Sequence, residues 1–168
     1  MDIDELSKKA LSNKDLYNLF DNSVKVYKYK DLFNFNSIDH AFNPFSIMFI
    51  LYEFKENFGH WVVVCKDENT IYFFDPYGFF PDEELKFMDR YRSSLPYLSV
   101  LLIKSPMTVK FNKYPFQNIK DTNIATCGRW CALFALLYKE LTFDDFADIF
   151  LNSGINPDKV ITWLTNYA

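Results

Sequence analysis

Runs of apolar residues in the middle of the chain predict a β-sheet. Residues 46–55, 60–66 and 71–75 are dense in β-branched and aromatic residues, and residues 98–104 predict a further apolar strand. Short polar or glycine-containing connections separate the first three runs, and such connections favour antiparallel neighbours. A shorter alternating segment, residues 24–29, carries lysines that discourage pairing with a second sheet, and it therefore predicts an edge strand.

Segments on both sides of this sheet follow a helical spacing of apolar residues. One or two short helices are predicted within residues 2–20, with a break near Ser12 and Asn13. Residues 33–45 contain many turn-forming residues and are predicted to be a loop. Further helices are predicted behind capping residues: a short one that begins at Pro81 and Asp82, one near 142–151 behind Thr142, and one near 157–166 behind Asn156 and Pro157.

Residues 127–141 predict a buried helix, because the segment is too long and too rich in alanine and leucine for a strand. The whole pattern predicts an α+β fold in which helices surround a central, mainly antiparallel sheet. At 168 residues the chain is long enough for one domain with its own core and too short for two. A single domain over residues 1–168 is therefore expected.

Composition and charge narrow the class of protein. Apolar residues make up 49% of the chain, which argues against disorder, and a formal net charge of −4 gives no support for a broad nucleic-acid-binding face. No apolar run approaches the ~18 to 20 residues of a membrane span, and the N-terminus lacks the basic-then-apolar order of a signal peptide. Three cysteines, an odd number, predict free thiols in a reducing compartment.

His60 and Asp75 form a candidate pair for chemistry. His60 opens one predicted strand and Asp75 ends the next, and an antiparallel hairpin places these two positions at the same rim of the sheet. A carboxylate there accepts a hydrogen bond from the imidazole, fixes its tautomer and favours the charged ring. The other histidine, His40, lies in the predicted loop and is expected to be solvated.

Cys127 is the candidate nucleophile for this pair. At the N-terminus of the predicted helix, free N–H groups and the helix dipole stabilise a thiolate, and a nearby imidazolium does so further. Gly128 leaves room for a substrate, and the backbone N–H of Cys127 can face a developing oxyanion. Gln117, in the loop before the helix, is the candidate for the second oxyanion donor.

Each of these residues also has a purely structural explanation. A cysteine before an apolar helix commonly packs in the core, a histidine at a strand start is commonly structural, and Asp-Pro-Tyr-Gly is a common turn. The order of the four candidates along the chain is what favours catalysis. Cys131, one helical turn after Cys127, and Cys65, in a predicted strand, are expected to be core residues.

The combined motifs resemble adenain-type viral maturation proteases and, more distantly, the SUMO-specific proteases of the same ubiquitin-like-protein protease clan. The matching pieces are GHWVVV at 59–64, IYFFDPYGF at 71–79, FQ at 116–117 and NIATCGRWCALF at 123–134, in the family's order. The short, acidic chain is also similar to the adenain-like proteases of virophages and polinton-type elements. The resemblance implies a papain-like cysteine protease fold of the adenain/SUMO-protease type.

The resemblance implies a role for each matching residue. His60 and Asp75 would activate Cys127, while the side chain of Gln117 and the backbone N–H of Cys127 would form the oxyanion hole. Trp61 would help to wall a narrow substrate channel, although it can equally be a core aromatic residue.

Two positions depart from the family's pattern. Asp75 stands where adenain has glutamate, as in the SUMO-specific branch, and either carboxylate can orient an imidazole. The interval between Gln117 and Cys127 (127 − 117 = 10 residues) is longer than usual. Asn118 and Asn123 therefore remain alternatives to Gln117 as the oxyanion donor.

The implied function is that of a cysteine endopeptidase that cleaves capsid or other virion precursor proteins during maturation. Glycine-containing sites are expected, because a channel closed by Trp61 admits little side-chain bulk. The alternatives are an isopeptidase for SUMO-like or ubiquitin-like modifiers, a cysteine-dependent acyltransferase, and a catalytically silent binding scaffold.

Partners and location follow from the same resemblance. Virion precursors are the expected substrates of a monomer that uses neither cofactor nor metal and requires neither membrane nor nucleic acid. The family's activation by a disulfide-tethered peptide and DNA is not carried over, since no cysteine lies between Cys65 and Cys127 and the chain is acidic. Whether another peptide activates the protein is left open. The expected location is the host cytoplasm or a viral factory, with packaging in the virion.

Overall fold

A five-stranded sheet organises the structure, a computed structural model that describes residues 2–56, 58–88 and 95–166. In sheet order, which is also chain order, the strands are β1 (Lys25–Lys28), β2 (Ile47–Lys55), β3 (Phe58–Lys66), β4 (Thr70–Phe74) and β5 (Thr108–Phe111). The three central strands pair antiparallel, whereas β1 and β5 pair parallel to β2 and β4. The predicted α+β class and antiparallel centre are confirmed, and so is the lysine-bearing edge strand β1.

Helices lie before, between and after these strands. The α-helices are α1 (Ile3–Leu6), α2 (Asn13–Leu19), α3 (Ile38–Phe42), α4 (Tyr97–Lys104), α5 (Cys127–Leu137), α6 (Phe143–Leu151) and α7 (Pro157–Asn166), with 3₁₀ helices at Tyr29–Asn34 and Glu83–Phe87. Ser12 and Thr142 cap α2 and α6 through reciprocal capping boxes with Asp15 and Asp145, as their Ser/Thr-x-x-Asp spacing allows.

The two faces of the sheet pack against different helices. Trp61, Val63 and Cys65 of β3 join the core that contains α5 and α6, whereas Val62 and Val64 join the core that contains α3 and α4. Successive strand residues point to opposite faces, so a strand covered on both sides needs a continuous apolar run. This explains why the central runs are apolar throughout rather than alternating.

Helix α5 is the buried helix that the pattern predicts, and it packs against β3 and α7. It ends at Leu137, four residues earlier than predicted. The thiol of Cys131 donates to the carbonyl of Trp61 at 3.3 Å, and burial raises the pKa of both Cys65 and Cys131 well above the ordinary value. All three cysteines are free and buried, so the prediction of free thiols is confirmed.

The predicted strand at residues 98–104 is wrong, because this segment forms helix α4. Leu98, Leu101 and Leu102 are buried, whereas Val100 and Ile103 are exposed, which is a helical spacing. A short run of apolar residues does not distinguish a strand from a buried helix by periodicity alone.

Two further elements differ from the predictions. The predicted loop at 33–45 contains α3, which Ser37 caps and which buries Ile38, Ala41 and Phe42. No prediction was made for β5, a four-residue strand in which no residue is fully buried. The short helix predicted from Pro81 is the 3₁₀ helix Glu83–Phe87, and the rest of that segment, residues 89–94, lies outside the described residues.

Single-domain organisation stays a prediction. Among the described residues, no helix combines the length and the apolar character that crossing a bilayer requires.

Candidate active site

His60 and Asp75 meet at one rim of the sheet. The antiparallel register pairs Val63 with Phe74, so the start of β3 lies beside the residue that follows β4. His60 Nε2 lies 2.7 Å from Asp75 Oδ1, and both side chains are almost completely buried. The structure thus brings together the pair that the hairpin geometry predicts.

The turn after β4 holds this carboxylate in place. The backbone N–H of Tyr77 donates to Asp75 Oδ1 at 2.8 Å, and the tyrosine ring stacks on the imidazole of His60 with ring centroids 4.0 Å apart. Gly78 closes the turn with a φ of +75°, a conformation that side chains rarely adopt. Asn112, which is fully buried, donates its side-chain amide to the carbonyl of Asp75 at 2.8 Å.

The surroundings of His60 favour its charged ring. Burial by itself lowers the pKa of His60, but the charge and hydrogen bond of Asp75 oppose it, and the pKa of His60 is raised well above its usual value. The thiol of Cys127, as a hydrogen-bond partner, and the carboxyl group of Glu84 act in the same direction. An imidazolium next to a cysteine is the environment that stabilises a thiolate.

Cys127 is the first residue of α5, and its thiol interacts with the imidazole of His60, whose pKa it helps to raise. Because Nε2 of His60 binds Asp75, Nδ1 is the ring nitrogen left for the thiol. The first N–H groups of a helix have no partner within the helix, so those at the start of α5 can donate hydrogen bonds to a thiolate or an oxyanion. Cys127, His60 and Asp75 therefore form one connected, almost completely buried group.

Gln117 lies on the same rim, in the loop that follows β5. The backbone N–H groups of Phe116 and Gln117 donate to the carbonyl of Pro76 at 2.7 and 3.0 Å, which fixes this loop against the turn after Asp75. The buried amide of Gln117 donates from Nε2 to the carbonyl of Ile124 at 3.1 Å. An amide nitrogen carries two N–H bonds, so one of them remains for another acceptor.

The two alternative donors lie in different surroundings. Asn118 and Asn123 are both exposed, and the side-chain oxygen of Asn118 accepts from the backbone N–H of Lys120 at 3.0 Å. Burial beside the turn after Asp75 therefore favours Gln117 over either asparagine.

Gly128 and Trp61, the two residues predicted to line the substrate channel, both pack against Leu11. The sequence predicts that Gly128 leaves room for a substrate. A Cβ at Gly128 would instead lie 3.1 Å from both Leu11 and Trp61, so these two residues occupy the space beside the glycine. The indole N–H of Trp61 donates to the carbonyl of Leu11 at 3.0 Å. A cavity of about 560 Å³ is lined by Trp61, by the segment that holds Leu11 and by strand residues such as Gly59.

Glu84 is a member of this group that sequence reasoning missed. It is buried on the 3₁₀ helix, and the ligand-type atoms of His60, Asp75 and Glu84 all lie within 4.8 Å of one another. Its Oε2 is buried and has no hydrogen-bond partner among the described residues, and burial, reinforced by the charge of Asp75 and opposed by His60, raises the pKa of Glu84 to about 7. In the sequence it belongs to an ordinary acidic first turn, so nothing marked it.

Two solved structures superpose on this chain. The ASFV pS273R protease does so with a TM-score of 0.48 at 14% identity, over 94% of this chain and 67% of that chain. ChlaDub1 from Chlamydia trachomatis does so with a TM-score of 0.46 at 16% identity, over 98% of this chain and 74% of that chain. Superpositions this remote transfer no function.

Sequence comparison gives a closer relation. No protein-family model matches the chain. The uncharacterized protein V9 of the Sputnik virophage is 36% identical over 168 residues, which cover 94% of this chain and 95% of that protein. The chain therefore belongs to the same family as protein V9 of the Sputnik virophage.

Proposed function

We propose that this protein is a cysteine endopeptidase with Cys127 as its nucleophile. The observation that carries the proposal is the buried pair of His60 and Asp75, 2.7 Å apart, together with a buried thiol at the start of α5 that helps to raise the pKa of His60. A nucleophile, a base and a residue that orients the base, connected in this order, are what acyl transfer requires.

Each group has a defined task in the proposed reaction. The Sγ of Cys127 attacks the peptide carbonyl, and the oxyanion accepts hydrogen bonds from Gln117 and from the N–H of Cys127. His60 gives its proton to the leaving amine as the C–N bond breaks, which leaves a thioester. A water then gives a proton to His60 and attacks the thioester, so the acid product and the thiol are released. Asp75 holds the ring in the required tautomer throughout.

The proposed substrates are capsid or other virion precursor proteins, cleaved next to glycine. In this proposal Trp61, which packs beside Gly128 at the start of α5, walls the substrate channel and excludes bulky side chains. The relation to a virophage protein supports a viral setting. In this proposal the enzyme acts as a monomer in the host cytoplasm or a viral factory, is packaged in the virion, and does not depend on nucleic acid.

Cleavage of co-expressed virion proteins tests the proposal. The wild-type protein is expected to generate new termini at glycine-containing sites, identified by mass spectrometry, and Cys127→Ala is expected to abolish them while the circular dichroism spectrum is retained. Cleavage that persists in folded Cys127→Ala would contradict the assignment of the nucleophile. Reaction with ubiquitin-like covalent probes without precursor cleavage would indicate an isopeptidase instead, and acetyl-enzyme formed from acetyl-coenzyme A would indicate an acyltransferase.

Selective alkylation gives a second, substrate-independent readout. Burial raises the pKa of Cys65 and of Cys131, so neither thiol is expected to react quickly near neutral pH. Rapid loss of one iodoacetamide-reactive thiol, absent in Cys127→Ala, is expected. A slow reaction at Cys127, no faster than at an ordinary thiol, would overturn the proposed activation by His60.

A further inference from the structure

Asp158 connects the two elements that carry the proposed oxyanion donors. It lies in the first turn of α7, far along the chain from both elements, and only 3% of its side chain is exposed. The backbone N–H of Asn118 donates to its Oδ2 at 3.2 Å, and the hydroxyl of Thr126 donates to its Oδ1. Asn118 directly follows Gln117, and Thr126 directly precedes Cys127.

The bond from Thr126 is unusual for a helix N-cap. Ser12, Ser37 and Thr142 also stand at N-caps, and each accepts a hydrogen bond from a backbone N–H in the first turn of its helix. In the described part of the chain Thr126 makes no such cap: its backbone has helical angles (φ −92°, ψ −1°) rather than the extended ones of the other three, and its hydroxyl donates to Asp158. Among the described residues, no side chain caps the first N–H groups of α5.

Further contacts hold Asp158 in place. Asn156 accepts from the backbone N–H of Asp158 at 2.9 Å, and the indole N–H of Trp130 approaches Asp158 Oδ1 at 3.5 Å, the long end of the hydrogen-bond range. Bonds to an ionised acceptor are about twice as strong as neutral ones, so one buried carboxylate can hold two chain segments in a single geometry.

We propose that Asp158 is a positioning residue of the oxyanion hole. It sets the loop of Gln117 relative to the start of α5 by accepting hydrogen bonds from Asn118 and Thr126, the residues next to the two proposed oxyanion donors. This role rests on the proposed cysteine-acyl chemistry. It adds a residue on α7 that touches neither the thiol nor the substrate.

Two reactions of the same thiol separate this role from general support of the fold. Acylation by p-nitrophenyl acetate forms a thioester at Sγ, passes through an oxyanion and releases p-nitrophenolate. Alkylation by iodoacetamide displaces iodide from carbon without any oxyanion. A displaced oxyanion hole therefore slows only the first reaction, whereas a displaced His60 or a partly unfolded protein slows both.

For Asp158→Asn, we expect the acylation rate of Cys127 to fall roughly 10- to 100-fold, in line with displacement or loss of one oxyanion donor. Alkylation should stay within about twofold of the wild type, since no bond to His60 or Asp75 is changed. The matched control is Asp145→Asn, which removes an exposed capping carboxylate of α6 and should leave both rates unchanged. Cys127→Ala supplies the background for both reactions.

A double-mutant cycle tests whether Asp158 acts through Gln117. If it does, Asp158→Asn should cost a smaller factor in the Gln117→Ala background than in the wild type. If Asp158→Asn does not fold, Thr126→Val removes one of the two bonds and keeps the carboxylate, and the same selective loss of acylation is expected.

Unchanged acylation in folded Asp158→Asn and Thr126→Val would overturn the inference. A parallel fall of acylation and alkylation would overturn it too, because it would show that Asp158 supports the thiol or the fold as a whole. A wild-type protein that forms no acyl-enzyme at Cys127 would overturn the proposed function itself, and with it this role.

Discussion

At the scale of single residues, the site contains three ionisable side chains that are buried away from water: His60, Asp75 and Glu84. For Glu84, burial affects whether the carboxyl group is ionised or neutral. A buried carboxyl without a partner for one oxygen favours its neutral form, because the ionised form would lose its hydration without compensation. The imidazolium of His60 opposes this effect, while the carboxylates of Asp75 and Glu83 reinforce it.

Glu84→Gln is therefore expected to stabilise the protein at about pH 8 and to have little effect at about pH 4. The carboxyl of Glu84 has an ordinary pKa of 4.5 when unfolded, and the fold raises this pKa to about 7. Between these values the folded state keeps a proton that the unfolded state releases, so the free energy of unfolding falls as pH rises, and it levels off above pH 7. A neutral glutamine avoids this loss, which amounts to as much as ~3 kcal/mol.

Urea denaturation of both proteins at several pH values measures this difference. Exposed Glu68→Gln is the matched control and should change the free energy of unfolding by less than about 0.5 kcal/mol at every pH. A pH-independent difference between Glu84→Gln and the wild type would show that Glu84 does not titrate with the raised pKa.

A functional residue could be predicted from the sequence when its role depends on residues close to it along the chain. His60, Asp75 and Cys127 could be found because each stands at the end of an element whose pattern is visible in neighbouring residues. Glu84 and Asp158 look like first-turn acids of short helices, which commonly sit in solvent at the positive end of the helix dipole. Their burial is created by residues far along the chain, and no local pattern carries that information.

At the scale of elements, the β2–β3 hairpin delivers His60 to the rim, and Gly59 is required for its pairing. The register places Gly59 opposite Glu53 and His60 opposite Tyr52, next to a local irregularity between Glu53 and Lys55. A Cβ on Gly59 would overlap the carbonyl oxygen of Tyr52 and lie 2.7 Å from its carbon. The backbone of a paired strand cannot move aside as a flexible side chain can.

Gly59→Ala is accordingly expected to lower the free energy of unfolding by about 3 kcal/mol, the upper end of the usual cost of overpacking. It should also slow alkylation of Cys127, since His60 is the next residue. Gly154→Ala is the comparison: it has a φ of +76° but no atom within 4 Å of the added Cβ, so only ~1 to 2 kcal/mol of backbone strain is expected. Equal losses in the two variants would contradict a steric role for Gly59.

Some secondary-structure elements of this protein could be predicted from the sequence, and others could not. The central strands and α5 could be predicted because their apolar runs are long and have capping or turn residues at their ends. The run 98–104 could not, because a seven-residue, mostly apolar segment suits a strand or a buried helix equally well, and tertiary packing of Leu98, Leu101 and Leu102 decides between them. The parallel pairing of β5 depends on a connection of more than thirty residues and has no local signal.

At the scale of the whole molecule, both ends of the described chain meet on the loop that precedes Cys127. The backbone N–H of Ala125 donates to the carbonyl of Ser7 at 2.8 Å, and Lys159 of α7 pairs with Asp4 of α1 at 3.0 Å. Leu11, further along the N-terminal segment, contacts the position of Gly128 and accepts from Trp61. The N-terminal segment thus closes over the residues on either side of the nucleophile.

Deletion of residues 1–7 is expected to release this loop without unfolding the sheet. The amide of Ala125 loses its acceptor, so its hydrogen exchange should become at least about tenfold faster, as the loss of one hydrogen bond of ~1.4 kcal/mol allows. The amides of Val62 to Val64 in β3 should keep their protection, because their partners lie in β2 and β4. Hydrogen exchange with mass spectrometry of overlapping peptides resolves the two regions.

The substitution Asp4→Asn separates the charge pair from the backbone bond. Lys159 and Asp4 are both exposed, and exposed ion pairs contribute little, so this variant should leave the exchange of Ala125 unchanged. Faster exchange after the deletion but not after Asp4→Asn would assign the closure to Ser7 and the backbone around it. Unchanged exchange of Ala125 after the deletion would show that the loop keeps its conformation through Asp158 and Gln117 alone, and that the N-terminal segment only lies over it.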